Sequence, residues 1–219
     1  MSATVFIGIP SNGDWKAEFG MSLAGLIARA GTPGAGNCPV IEGLRLWNAR
    51  GSILPRSRTT LAQKALESGA THLLFLDSDM VFPPDTLHRL LSWRKSVVAC
   101  NCPTKMLPST PTARGFSETA LTGVPLYSKP GDGGLEKVWR VGTGVMLVET
   151  RVFHTLPQPW FPITWDDKLQ DYRGEDWSFV EALEKAGIPT WIDTRLSRQI
   201  GHVGDLRFEH SHVEIPNGL

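Results

Sequence analysis

Short unbroken apolar runs alternate along the chain with segments whose apolar residues recur every three or four positions, the pattern of strands alternating with amphipathic helices. Residues 4–9 form a β-branched run that stops at Pro10-Ser11-Asn12-Gly13, which predicts a buried first strand ending in a turn. Phe19, Leu23, Leu26 and Ile27 mark a helix closed by Gly31 and Pro33. A second strand is expected over 40–47 and a helix over 57–68, with Leu61, Ala65 and Leu66 inward. Residues 72–76 are apolar throughout, which suits a central strand covered on both faces. Pro83-Pro84-Asp85 then opens a helix through Leu87, Leu90, Leu91 and Trp93, and residues 97–100 form another short strand.

Periodicity disappears over 101–137, where Pro, Thr, Gly and Ser dominate, so this stretch is either a long functional loop or a small hairpin region. It returns at 138–141 and 145–148, on either side of Gly142-Thr143-Gly144. Phe153 and Leu156 fit a short helix, 160–171 reads as a loop rich in aromatics and acids, 176–186 as a helix, and 190–192 as a strand. The order predicts a single α/β domain over 1–219, a mostly parallel central sheet flanked by helices.

Composition narrows the partners. Acidic and basic residues balance at 22 each, so no basic surface for gripping long nucleic acid is announced. No stretch approaches the roughly 20 apolar residues that span a bilayer, and the N-terminus lacks a basic region followed by a small-residue cleavage site. A soluble cytoplasmic protein is the expectation. Cys100 and Cys102 fall on one face of a strand end and read as structural thiols. The glycine-rich stretch 31–39 follows no strand and opens no helix, which argues against a dinucleotide cradle.

Chemistry concentrates after the 72–76 strand. Asp77 and Asp79 flank Ser78 where ligands of open α/β sheets collect, beyond the carboxyl ends of strands. Two carboxylates there repel one another unless a cation, donor groups or protonation stabilises them; alternatively they are turn or capping aspartates. Glu175 and Asp176 sit at a helix start, where the dipole favours negative charge, and can be capping acids or a catalytic pair. His202 by itself reads equally as a polar loop histidine. Arg56 and Arg58 open a helix, and the planar fork of Arg58 suits a diphosphate. Trp160, Phe161, Trp165, Tyr172 and Trp177 surround the acidic pair, as sugar platforms or as packing. Lys105, Arg114 and Lys129 could meet an anionic acceptor. His210 and His212, alternating on one strand face, could mimic a second metal site; a solvated tail is the plainer reading.

The run 70–80, ATHLLFLDSDM, resembles the strand and DxD motif of GT-A fold glycosyltransferases, in particular small family 2-like phage and bacterial types. Residues 142–148, GTGVMLV, resemble the segment near the donor sugar; 174–179, GEDWSF, the acidic motif at a helix head; and 200–204, IGHVG, the late histidine of the metal site. The resemblance implies a nucleotide-binding half over 1–100 and an acceptor-binding half over 101–219. It implies a sugar-nucleotide site, for example for a UDP-sugar, at Pro10, Ser11, Asn12, Arg58, Asp77, Ser78, Gly142 and Gly144. Mn2+ or Mg2+ would lie on Asp77, Asp79 and His202, the imidazole favouring Mn2+. Asp176, or else Glu175, would be the general base for a hydroxyl acceptor on a glycan or small molecule. Two alternatives keep the scaffold: a phage-type enzyme acting on hydroxymethylated DNA bases in the host cytoplasm, or a non-catalytic sugar-nucleotide or glycan-binding module. Sugar-nucleotide pyrophosphorylases fit less well, since no glycine-rich loop with a basic residue follows the first strand.

Overall fold

The apolar runs become strands of one seven-stranded sheet in the computed structural model, which describes residues 2–204 and 207–213. In chain order the elements are β1 (Ser2–Ser11), α1 (Ala17–Ala30), β2 (Val40–Arg50), α2 (Leu54–Glu67), β3 (His72–Leu76), β4 (Met80–Val81), α3 (Thr86–Ser92) and β5 (Val97–Ala99). There follow β6 (Arg114–Gly115), β7 (Val124–Pro125), β8 (Leu135–Val138), β9 (Val145–Glu149), α4 (Val152–Thr155), β10 (Thr164–Asp166) and β11 (Asp171–Arg173). The last are α5 (Glu175–Lys185), β12 (Thr190–Asp193), α6 (Thr194–Ser197), β13 (Gly201–Val203), β14 (Arg207–Phe208) and a 3-10 turn over His210–His212.

Strand order is β2-β1-β3-β9-β5-β12-β8. β1 pairs parallel with β2 and β3, and β5 with β12, whereas β9 runs antiparallel to β3 and β5, and β8 to β12. Five strands therefore share one direction and the sheet is mainly parallel, as expected. Side chains alternate across it. Leu73 and Phe75 of β3 join the core under α2 and α5, with Leu61, Ala65, Phe179 and Leu183. Leu74 and Leu76 join the core under α1 and α3, with Phe19, Leu23, Leu87 and Leu90. Leu73 to Leu76 are fully buried, each contributing about 1.5–3 kcal/mol. The loop that leaves β3 thus hangs from a rigid anchor.

Several boundaries differ from the sequence expectations. β1 continues through Pro10 and Ser11: it has already run past β3, whose pairing ends at Gly8↔Phe75, so Pro10 lacks an N–H only on the open side. α2 begins at Leu54, with Pro55 in its first turn, which moves Arg58 from the helix start into the second turn. The strand expected over 138–141 is displaced to β8, because its antiparallel partner β12 pairs Val138 with Thr190 and Leu135 with Asp193. The stretch 160–171 is not all loop, since β10 and β11 pair as a hairpin. Cys100 and Cys102 are buried thiols in the same core, as their spacing suggested. His210 and His212 lie in the 3-10 turn and not on a strand; burial lowers the His210 imidazole to about 4, so it is no solvated tail group. Among the described residues, no helix is long and apolar enough to cross a membrane.

Candidate active site

Three elements converge at the carboxyl end of β3. The Asp77 N–H donates to Gly144 O at 2.9 Å, tying the loop after β3 to the residue that precedes β9. The same loop leads into β4, which pairs antiparallel with β13, placing His202 opposite Met80. The Val203 N–H donates to Asp79 O at 2.8 Å. Backbone pairing therefore delivers the late histidine to Asp79 before any side-chain contact is counted. Ser78 O accepts from the Lys16 N–H at 3.0 Å, so the loop after β1 closes over the triplet as well.

Asp77 and Asp79 have different partners. Asp77 faces Arg58: Nη2 lies 3.0 Å from Oδ1 and 3.1 Å from Oδ2. Arg58 Nε meanwhile bonds Glu175 Oε1 at 3.2 Å, and its guanidinium lies 5.8 Å from the centre of the Phe75 ring. Burial alone would lower this guanidinium, but Asp77 and Glu175 outweigh it and hold it charged. Arg58 is thus a buried clasp between the triplet and the acidic helix head, a role its sequence position did not announce. Its Nη1 is buried without a hydrogen-bond partner.

Asp79 meets Lys105, which forms an ion pair with its Oδ2, and His202, whose Nε2 lies 3.3 Å from Oδ1. Burial raises the Asp79 carboxyl, yet His202 and Lys105 together draw it down to about 2. His202 Nδ1 lies 2.9 Å from Pro103 O. A carbonyl only accepts, so Nδ1 carries a proton and Nε2 is the nitrogen turned towards Asp79. A histidine that binds a metal through Nε2 is held in this orientation by such an Nδ1–H bond.

Glu175 and Asp176 open α5 as predicted, with Gly174 at the N-cap. A Cβ on Gly174 would come within 2.9 Å of Asp176 Oδ1, so glycine leaves room for the carboxylate to fold back. Asp176 Oδ1 accepts from the Trp177 N–H at 2.7 Å. Burial, then the neighbouring charge of Glu175 and of Asp77, raises its carboxyl to about 6, against the pull of Trp177 N–H and Arg58. It borders a cleft of about 380 Å3 with Trp177, Tyr172 and Thr122.

The other predicted residues separate into near and far. Gly144 lies against the triplet, where an added Cβ would sit 3.5 Å from Asp77 Oδ2; Gly142 faces Thr112 instead. Ser11 pairs with Asn48, which donates from Nδ2 to Ser11 Oγ and to Ile9 O, both at 2.9 Å. Asn48 and Arg50 of β2 line a polar cleft of about 450 Å3 with Arg56, a feature missed in the sequence because an 11-residue strand over 40–50 was not foreseen. Asn12 Oδ1 only accepts from the Asp14 N–H within its own turn. Trp160 and Phe161 are core, packed with Phe153 and Phe179; Trp165 and Tyr172 are exposed on the β10–β11 hairpin.

Residues for a divalent cation can be tested on these atoms. Oδ1 of both Asp77 and Asp79 is shielded from solvent without a hydrogen bond of good geometry. One carboxylate oxygen and one imidazole nitrogen therefore approach each other at Asp79 and His202, a pair of ligand atoms that suits Mn2+. Asp77 is turned to Arg58, and among the described residues no group of three His, Cys, Asp or Glu side chains closes on one point. The site fits a cation held by two protein ligands whose remaining positions come from ligand oxygens and water.

The chain matches solved structures along nearly its whole length. It is similar to A197 from STIV, with a TM-score of 0.62 at 16% identity over 99% of this chain and 100% of that one. It is also similar to GalNAc-T7, solved with UDP, GalNAc and Mn2+, with a TM-score of 0.60 at 16% identity. That match covers 94% of this chain but 44% of GalNAc-T7. The fold is that of the GT-A glycosyltransferases. No protein-family model and no curated protein matches the sequence. At this identity the likeness carries the fold alone.

Proposed function

We propose that the chain is a metal-dependent glycosyltransferase that moves a sugar from a nucleotide-sugar donor to a hydroxyl acceptor. The observation that carries this reading is the convergence of Asp79 with His202 beside an Asp176 carboxyl raised to about 6. A ligand-facing oxygen–imidazole pair and a poised base are the two things that transfer from a nucleoside diphosphate needs. Residues 1–100 would hold the nucleotide, with Pro10, Ser11 and Asn12 at the end of β1 and Asn48 beside them. Residues 101–219 would hold the acceptor.

Asp79 and His202 would hold Mn2+, or Mg2+, against the donor diphosphate such as that of a UDP-sugar. The ion supplies Lewis-acid stabilisation of the departing diphosphate. In a direct displacement Asp176 accepts the proton of the acceptor hydroxyl, whose oxygen bonds the anomeric carbon as the bond from that carbon to the diphosphate oxygen breaks. The nucleoside diphosphate leaves with the bonding electrons. Arg58 takes no part in these bonds; it is a positioning residue that fixes Asp77 and Glu175, which leaves Asp176 and not Glu175 as the base. Ser78, Gly142 and Gly144 would border the donor.

The decisive assay follows sugar-nucleotide turnover with and without Mn2+, in the wild type and in Asp79→Asn. Mn2+-stimulated turnover that falls by at least about 100-fold in the variant is expected, the scale of losing one transition-state electrostatic partner. Equal turnover in all four conditions would refute the reading.

A further inference from the structure

Beyond Asp176 the surface continues as a groove between two hairpins. One wall is the loop joining β6 to β7, carrying Phe116 and Leu121; the other is the turn joining β10 to β11, carrying Lys168 and Leu169. Trp177 of α5 and Trp139 form the floor. Three clefts make up the groove. The one at Asp176, of about 380 Å3, shares Leu169, Arg173 and Trp177 with a second of about 290 Å3. The second shares Phe116 and Trp139 with a third of about 430 Å3 that ends at Pro189. Continuity with the candidate base is thus built from shared residues.

The first wall is held in place. Gly123 has φ +73, and a Cβ there would meet Gly115 O at 2.5 Å and Trp139 Cε3 at 2.8 Å, so the loop is pressed onto the floor where only glycine fits. Phe116 meets Trp139 edge-on with ring centres 5.8 Å apart, yet remains 65% exposed, and Leu121 is 55% exposed. The buried and half-buried arginines of the groove are matched by carboxylates, and its exposed charges, Lys137, Lys168, Glu118 and Asp171, balance in sign. Arg173 bridges Asp166 and Glu181, and Arg140 pairs with Glu184 at 3.0 Å while lying 3.9 Å from the centre of the Trp139 ring. Glu118 and Lys168, both exposed and opposite in sign, are the remaining charges lining the middle cleft.

An occupant of this groove meets no excess of one charge sign, must offer apolar faces to Phe116, Leu121 and Trp177, and must offer polar edges to the ions around them. A chain of pyranose rings has that character, with C–H faces that stack on aromatic rings and hydroxyls around the rim. A polyanion does not, because binding nucleic acid rests on an excess of cations facing the phosphates, and here Lys137 and Lys168 are offset by Glu118, Asp171 and Asp176. We propose that the groove is an acceptor subsite for a neutral oligosaccharide, whose terminal ring presents its hydroxyl at Asp176. This rests on the transferase reading and names its acceptor class.

Binding is measured by calorimetry on the whole protein, with malto-, cello-, chito- and mannohexaose as probes beside their monosaccharides. A duplex bearing 5-hydroxymethylcytosine and an uncharged Ser/Thr decapeptide complete the set. At least one hexasaccharide binds about tenfold or more tighter than its monosaccharide, and Phe116→Ala/Leu121→Ala removes that advantage. Both positions are exposed, and an unchanged melting temperature verifies that the variant folds. Donor binding is read separately, as the thermal shift with UDP and Mn2+. Loss of that shift in the wild type strikes the transferase reading. An intact shift strikes the subsite alone if no hexasaccharide outbinds its monosaccharide, if the variant binds hexasaccharide as well as the wild type, or if only the duplex or the peptide binds.

Discussion

Arg58 is the residue on which the polar site depends most. Its side chain is 3% exposed and holds carboxylates 19 and 117 positions away in sequence. Removing one partner of a buried ion pair costs about 3–5 kcal/mol, because the charge left behind is neither solvated nor paired. Arg58→Met is expected to lose stability on that scale at pH 7 in urea denaturation. A loss below about 1 kcal/mol at pH 7 would show that the clasp does not carry this load. Asp176 behaves in the opposite sense. Its folded carboxyl is raised to about 6 from 3.8, so the folded state gains from protonation. The contribution is fully present below about pH 4 and lost as pH rises through 6. Asp176→Asn should therefore be more stable than the wild type above pH 7, by up to about 3 kcal/mol for a shift of about two pH units, and no more stable at pH 4. Transfer should rise with pH through about 6 in the wild type and be lost in the variant. An equally stable variant at pH 7.5 would contradict the raised carboxyl.

Elements were legible in the sequence to the degree that packing and local pattern agreed. β1, β3, α1 and α5 announced themselves because unbroken apolar runs and three-to-four spacing map directly onto two-sided or one-sided burial. The hairpins β6–β7 and β10–β11 did not, since two- and three-residue strands such as Val124–Pro125 cannot display an alternation. Asp79 and His202 were legible as a pair only through the resemblance, for it is the β4–β13 ladder, unreadable in a two-residue strand, that brings them together. The partners of Arg58 were illegible because a buried arginine within a polar helical segment looks like a solvated one. The irregular stretch after β5, expected to be either a long functional loop or a small hairpin region, holds the β6–β7 hairpin and also supplies both Pro103 O to His202 and Lys105 to Asp79. In the proposed metal site Lys105 would compete with the cation for the same carboxylate. Its side chain is 37% exposed, and a partly exposed pair contributes about 0–1 kcal/mol. Lys105→Met is expected to tighten Mn2+ binding by up to about fivefold, read as free Mn2+ by electron paramagnetic resonance without nucleotide. Weaker binding in the variant would instead make Lys105 part of the ion's support.

Over the whole molecule, the two proposed halves share one sheet, with β9 between β3 and β5, and meet at the site through the Arg58 clasp, the β4–β13 ladder and the approach of Lys105 and His202 to Asp79. A cation with two protein ligands would be weakly held alone, and a diphosphate would meet Asp77 and Asp79, whose charges Arg58, Lys105 and His202 balance without an excess of positive charge for the phosphates. Each therefore supplies what the other lacks, and coupling between them is reciprocal. Mn2+ alone and UDP alone should each move the melting temperature little. Together, at concentrations about 100 times their joint dissociation constant, they should stabilise the native state by about 2.7 kcal/mol, a rise of roughly 5–11 °C for a chain of this length. Asp79→Asn should lose the combined shift, because it removes the negative charge of the carboxylate that faces His202 Nε2, whereas Phe116→Ala should keep it. A UDP shift of the same size with EDTA as with Mn2+ would separate nucleotide binding from the metal and move the charge compensation onto Lys105.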